Sequence, residues 1–485
     1  MKVLIISANR NLYPEPVMPA GACMAAEAAH SAGHEVKFLD LMFERAPLPA
    51  VRQAIKDFEP DATGLSIRNI DNNDLSGPAR FYEEPGAIAQ TIRQTADGPL
   101  IIGGAALSVM PRELMVKTGA DIAVLADGEK VFPAVLDALS SGRTTQTIEG
   151  TARMENGLFV SVPFTKRPMP ACPPTYEKWL NTRRYLSMLS TAPMLTKIGC
   201  HFECVYCTYR KLDEKAPYGL MEPKEAACNI ERLFKTGFRD IEFVDNVFNS
   251  PPGHAVSICE EVIKRKVRAR LHTVELNPLF ISEELVRAME KAGFAGVGIT
   301  AESASDPVLE RLKKGFRVEH LIKAAQIMRK SSLPCLWIFM LGGPGETPET
   351  VSETLRFSQK YLKPNDAVFF NAGIRIYPKT GLEEIARREG LLSLAPADML
   401  EPVFYLSPHI NFDWLLRQVE GALDGNLNMI DIRSIQSGYL PWIRRAFSGL
   451  GMKPPLWRHT AAIRRGMRFL GIEKSKNQKN SGRIE

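Results

Sequence analysis

The sequence predicts an α/β protein in three parts: a doubly wound, Rossmann-like (flavodoxin-like) domain, a partial (β/α)6 barrel and a mainly helical C-terminal segment. Three observations carry this. Short apolar runs alternate with helix-length stretches up to about residue 140, a second such series follows from about 191, and the rhythm stops between and after them. The expected divisions are 1–140, an extended linker at 141–190, a barrel at 191–395 and the C-terminal segment at 396–485. A chain of 485 residues exceeds what one hydrophobic core organises, so more than one domain is required.

In the first part the strand candidates are KVLIIS, EVKFLD, ATGLSI, PLIIGG and ADIAVL. Helical stretches at 20–32, 51–58, 86–95, 112–118 and 130–139 separate or follow them. Such alternation gives a parallel sheet covered on both faces, with ligands bound at the carboxyl ends of the strands. The proline-rich run RPMPACPPTYEKW breaks the pattern and reads as an extended connector. The second series offers MLTKIG, RDIEFVD, RARLHTVE, GVGITAE, CLWIFMLG and AVFFNAGIRIY as strands. One intervening helix shows both of its ends: in SEELVRAMEKAGF, Ser282 suits the N-cap and Gly293 the stop. Six βα units suit an open partial barrel, with chemistry at the carboxyl ends of its strands.

The composition, 45% hydrophobic and 24% charged with a mean hydropathy of −0.12, is that of a globular protein, and no apolar run is long enough to span a bilayer. MKVLIISANR reads as a first strand rather than a signal peptide, and scattered cysteines without a disulfide framework point to the reducing cytoplasm. The net charge of +6 divides into +9 on residues 441–485 and −3 on the rest. That basic tail interleaves Trp, Phe and Leu with Arg and Lys and ends in a polar run expected to be disordered. It suits either a helix packed on the barrel or a peripheral contact with anionic lipid. It carries no nucleic-acid-binding motif, so no nucleic-acid partner is expected.

The chemistry concentrates in KIGCHFECVYCTYR, where Cys200, Cys204 and Cys207 share one loop directly after a strand. Thiolates are the soft ligands that an iron–sulfur cluster requires, and three of them leave one iron of a cubane without a protein ligand. A zinc site completed by Cys228 or His201, in a non-catalytic interaction protein, is the alternative, although zinc sites more often pair two Cys-x2-Cys knuckles.

At this point the sequence resembles the radical SAM superfamily. RDIEFVDNVFN is similar to the family's second strand, GVGITAESASDPVLERLKKG to its fourth, FMLGGPGETPET to its fifth and RIYPKTGL to its sixth, with Lys379 and Gly381 departing from the last pattern. The resemblance implies a [4Fe-4S] cluster on the three cysteines and S-adenosylmethionine (SAM) held by Tyr206, Asp245, Asn246, Glu302, Ser303 and Gly343.

Residues 1–140 resemble the cobalamin-binding domain that precedes the barrel in one large class of this superfamily, on the segments MPAGACMAAEAAHSAGHEVKFLDL, PDATGLSI and IIGGAALSVMPRELMVKTGADIAVLADGEKVFPAVLDAL. The family's Asp-x-His-x-x-Gly signature is absent, which implies a cobalt without a histidine lower ligand. The implied cobalamin contacts are Ser66, Arg68, Gly103, Gly104, Asp127, Gly128 and Glu129, with Arg68 beneath the cobalt. The class resemblance implies a methyltransferase that uses a 5′-deoxyadenosyl radical and methylcobalamin on an unactivated carbon of a small-molecule or lipid-like substrate. A flavodoxin-type reductase would supply electrons. A cyclase, rearrangement or oxidation enzyme acting on a lipid or tetrapyrrole-like substrate without methyl transfer is the second expectation.

Overall fold

A computed structural model describes residues 1–165, 169–209, 217–471 and 473. The first sheet has the strand order β2-β1-β3-β4-β5-β6-β7. β1 (Lys2–Ser7), β2 (Glu35–Asp40), β3 (Ala62–Ser66), β4 (Leu100–Gly103) and β5 (Ile122–Val124) are parallel, in the 2-1-3-4-5 order of flavodoxin-like domains. β1 shows why the sheet is covered on both faces: Val3 and Ile5 enter one core with Ala26 and Val131, while Leu4 and Ile6 enter another with Val51 and Ile88. The expected helices form at Ala20–Ser31, Pro47–Phe58, Glu83–Thr95, Pro111–Thr118 and Gly128–Ser140.

The segment 141–190 corrects one expectation. It is not simply an extended linker, because β6 (Thr151–Glu155) and β7 (Leu158–Ser161) form a hairpin that adds two antiparallel strands beyond β5. The turn is Asn156-Gly157, both with positive φ, a hairpin signal that the neighbouring proline run masks in the sequence. Short helices at Tyr176–Trp179 and Thr182–Leu186 then lead into the barrel.

The barrel sheet runs β18-β15-β14-β13-β12-β11-β8, all parallel. Its six expected strands are β8 (Ala192–Met194), β11 (Asp240–Phe243), β12 (Arg270–Leu276), β13 (Phe294–Glu302), β14 (Cys335–Leu341) and β15 (Ala367–Ala372). MLTKIG does not form one strand: after β8 it turns at Thr196 and resumes as β9 (Lys197–Ile198), paired with β10 (Gly219–Leu220). β16 (Ile374–Arg375) and β17 (Phe404–Tyr405) form a small antiparallel pair. A seventh barrel strand, β18 (Met429–Asp431), comes from the segment expected to be mainly helical. Three residues are too short for a pattern of period two to register. Ser282 caps its helix by accepting from Leu285 N–H at 3.1 Å, and Gly293 ends it with φ +91°.

The two domains are joined by buried polar contacts. Arg375 Nε donates to Asp71 Oδ2 at 2.7 Å, with both side chains almost fully buried. Tyr185 donates to Asp40 at 2.8 Å, and Arg444, in the helix Leu440–Gly449, donates to the carbonyl of Pro14 at 2.8 Å. Among the described residues no helix is long and apolar enough to cross a membrane. The polar run 474–485 lies outside the described residues.

Candidate active site

Gly199, with φ +91°, turns the chain out of β9, and Cys200 follows, buried; Cys204 and Cys207 are half-buried on the same loop. The loop is pinned between the last two. Val205 N–H donates to Leu312 carbonyl at 3.1 Å, and Val205 carbonyl accepts from Leu382 N–H at 2.7 Å. Burial pushes the Cys207 thiol up to about 11 and raises Cys204 as well, so a metal must take the place of the proton when these thiols ligate. Among the described residues no three Cys, His, Asp or Glu side chains converge on the position of a single metal ion. The donor set is all sulfur, the chemistry of an iron–sulfur cluster.

Next to this loop lies a triad that sequence reading reached only in part. Tyr206 Oη donates to Glu302 Oε1 at 2.8 Å, and Lys314 Nζ donates to both, at 2.9 and 3.0 Å. Glu302 and Lys314 are each 5% exposed. A charge pair this deep is retained only with such close partnering. Glu302 has φ +62°, a left-handed conformation unfavourable for a glutamate, where β13 shifts register against β14. The triad therefore ties the cysteine loop to the end of β13.

Other expected SAM residues have protein partners. Asp245, fully buried, accepts from the N–H groups of Thr196 (2.7 Å) and Lys197 (3.0 Å) and from Thr196 Oγ (2.6 Å), which makes the turn between β8 and β9. Asn246 follows it, half-buried. Ser303 Oγ faces Thr354 Oγ at 3.3 Å, within the packing of the helix Pro348–Lys360. Gly343 N–H donates to Glu346 Oε2 at 3.0 Å, and Gly342 N–H donates to the same oxygen. The glycines here serve packing: at Gly345, φ +76°, a Cβ would lie 2.3 Å from Arg311 Cδ.

Desolvation raises the carboxyl of Glu346 from 4.5 to about 7, although the two N–H donors oppose the shift. The folded state therefore holds this proton better than the unfolded chain. Its stabilising contribution is complete below pH 4.5 and is lost as pH rises through 7. Glu346→Gln keeps an acceptor that cannot ionise. It is expected to flatten the pH dependence of stability between 4.5 and 7 by about 3 kcal/mol, the equivalent of that shift. Urea unfolding at several pH values is the measurement, and parallel curves for the two proteins would refute it.

Between the barrel mouth and the first domain lies a cavity of about 1590 Å³. The first domain contributes residues 8–17, Arg68 and the loop that follows it. The barrel contributes Thr191, Glu242 and Glu275, and the C-terminal segment contributes Arg444. Burial, reinforced by Glu15, raises Glu242 to about 7; burial, reinforced by Glu302, raises Glu275 to about 8. Asn9 Nδ2 and Arg10 Nε, in lining residues after β1, are buried donors without a protein partner. Such donors suit a ligand rich in carbonyl acceptors, as a corrin periphery is.

Of the seven expected cobalamin residues, Arg68 lines this cavity. Ser66 and Gly103 lie at the ends of β3 and β4, outside it. A Cβ on Gly103 would meet only Val124, at 3.9 Å, and one on Gly128 would meet nothing within 4 Å, so backbone is approachable at both. Gly104 has a role of its own, since with φ +103° a Cβ would lie 2.4 Å from Ile67 carbonyl oxygen. Asp127 pairs with Lys130 at 2.7 Å, and Glu129, its carboxyl raised by burial, follows in the first turn of the helix Gly128–Ser140.

The family description "Radical SAM superfamily" matches residues 194–358, and "B12 binding domain" matches residues 8–136. The chain is a radical SAM enzyme with a B12-binding domain. The cofactors of such an enzyme are a [4Fe-4S] cluster, SAM and cobalamin. It is 28% identical over 407 residues to an uncharacterized methyltransferase of Pyrococcus horikoshii, covering 81% of this chain and 84% of that one. It is 23% identical over 450 residues to the tryptophan 2-C-methyltransferase of Streptomyces laurentii, covering 77% and 73%. Its fold is that of the radical SAM methyltransferase TsrM from Kitasatospora setae, solved with cobalamin and a [4Fe-4S] cluster bound, at a TM-score of 0.83 and 23% identity over 97% of this chain and 99% of that one.

Proposed function

We propose that this radical SAM enzyme is a methyltransferase acting on an unactivated carbon of a small-molecule substrate. The observation that carries the reading is the shared cavity, which joins the strand ends of the B12-binding domain to the barrel mouth at Glu242 and Glu275. The relatives in Pyrococcus and Streptomyces, named as methyltransferases, support it.

When bound, the cluster with SAM supplies a carbon-centred radical, and methylated cobalamin supplies the methyl group. The chain's own residues hold and orient. Cys200, Cys204 and Cys207 ligate the cluster as thiolates. Tyr206, Glu302 and Lys314 fix the loop, while Asp245 fixes the turn before it. Asn246, Ser303 and Gly343 edge the SAM side. Asn9 and Arg10 would offer donors to a bound cobalamin, and Ser66, Gly103, Gly104, Asp127, Gly128 and Glu129 would help to hold it. Arg68, which lines the cavity, would face the bound cobalamin as a cation and would offer the metal no neutral ligand. Glu242 and Glu275 hold protons near neutral pH against the cavity. Enclosure between the two domains excludes water and oxygen. A cytoplasmic flavodoxin-type reductant would suit this chemistry.

Anaerobically reconstituted enzyme given methyl-labelled SAM, a reductant and a small-molecule extract is expected to move label into one product, with both S-adenosylhomocysteine and 5′-deoxyadenosine formed. Substrate-dependent 5′-deoxyadenosine without S-adenosylhomocysteine would point to the cyclase or oxidation reading instead. Arg68→Ala is expected to alter the visible spectrum of bound cobalamin and lower turnover at least tenfold, by about 1.4 kcal/mol. Unchanged spectra and turnover would remove Arg68 from the cobalamin site.

The basic tail is turned partly inward. Arg444 and Arg464 are buried, while Trp442 and Phe469 remain exposed. The tail thus serves first as a wall of the enzyme, and peripheral lipid contact would fall to the exposed aromatics.

A further inference from the structure

The cavity continues downward into the barrel. In β14, Cys335, Trp337 and Phe339 are buried against the helices, while Leu336 and Ile338 line the lumen. Phe369 of β15, Ile430 of β18 and Gly296 of β13 join them. Gly296 and Leu336 lie near the amino ends of their strands, whereas the cysteine loop and the domain interface are at the carboxyl ends. This chamber therefore lies on the far side of the proposed chemistry from the first domain.

Its floor comes from the C-terminal segment. Pro455 and Trp457 press on Gly296 so closely that a Cβ there would lie 2.9 Å from both. Ile463 and Met467, from the helix Thr460–Phe469, complete it. In closed (β/α) barrels side chains fill the interior. Here a seven-stranded open sheet leaves room, and the lining is largely aliphatic and aromatic, with His272, Thr273 and Thr460 as polar members. Two arginines border the chamber, and both are neutralised. Arg464 pairs with Glu473 at 2.5 Å and donates to the carbonyls of Asn426 and Met429, while Arg433 pairs with Asp431 and Glu420.

We propose that this lower chamber binds the apolar body of the substrate: a neutral hydrocarbon or aryl group of an amphiphilic small molecule. That body enters first, and the polar end stays at the level of Glu242, Glu275 and Arg444. Only the identification of this ligand as the methyl acceptor rests on the methyltransferase reading. A largely apolar chamber whose two arginines are paired strips water from such a group without stranding those cations.

The test uses the reconstituted full chain and the neutral fluorophore N-phenyl-1-naphthylamine. Saturable binding at one site is expected, at least tenfold tighter than that of the anionic 1-anilinonaphthalene-8-sulfonate. Ile338→Trp fills the chamber and is expected to weaken the neutral fluorophore at least tenfold. Leu336→Phe is the second, gentler filling variant, and iron and cobalamin contents establish that each variant is folded. Absence of saturable binding, equal affinity for the two fluorophores, or parental affinity in either folded variant overturns the proposal. If binding behaves as expected but no label reaches any product, methyl transfer falls and the chamber stands.

Discussion

Replacing any one of Cys200, Cys204 and Cys207 with alanine is expected to abolish SAM cleavage and reduce bound iron and sulfide to near background after anaerobic reconstitution. Two remaining thiolates cannot hold a cubane against loss of its irons. The fold should survive, because the loop is anchored through Val205 to Leu312 and Leu382 rather than through sulfur. Cobalamin binding should persist as well, since the cavity wall at Arg68 belongs to the first domain. Iron, sulfide and the visible spectra of the two cofactors can be read on the same sample. A variant retaining full iron and turnover would refute the assignment of that cysteine.

Arg375→Met carries the largest expected cost to stability. The guanidinium is nearly inaccessible, pairs with Asp71 across the domain junction at 2.7 Å and donates to the carbonyls of Met399 (2.7 Å) and Val403 (3.2 Å). Methionine fills part of the space but leaves the Asp71 carboxylate without its cation and the carbonyls of Ile376 and Met399 without their donor, while Val403 carbonyl keeps the N–H of Ile376. The expected loss is about 3–5 kcal/mol, read from denaturant unfolding. Asp71→Asn on that background removes the stranded charge and should recover part of the loss. If the single variant unfolds like the parent, the ion pair does not clamp the domains.

The parallel strands were legible because each is a nearly continuous apolar run bounded by turns, and KVLIIS and CLWIFML show this plainly. The cysteine loop was legible because three ligands of one chemistry lie within eight residues. Partners supplied across the fold were not. Glu302 stood out in the sequence, but Lys314, its counterion, is only one of two adjacent lysines in LERLKKG until β13 and the following helix bring the two together. Asp245 and Ser303 lie at the ends of β11 and β13, as read, yet their side chains hold the protein's own backbone and hydroxyl groups. Spacing locates a residue along a strand without saying which neighbour claims its oxygens. Glu242 and Glu275 left no sequence signal, since only enclosure by three parts of the chain raises their proton affinity. The hairpin of β6 and β7 was obscured by the neighbouring prolines, and β18 by its brevity.

That last strand has a consequence for how the enzyme is made. β15 ends at Ala372, and its partner β18 begins at Met429, with the helix Phe412–Gly425 between them. Until the ribosome has delivered residues 429–431, β15 presents a bare row of amide and carbonyl groups, the kind of edge on which unfinished chains associate. Arg464, which grips the carbonyls of Asn426 and Met429, arrives later still. Assembly of the reactive centre is therefore bound to the synthesis of residues 429–464: the thiols exist early, but the walls that would shelter a cluster from oxygen are laid down only after the other six barrel strands.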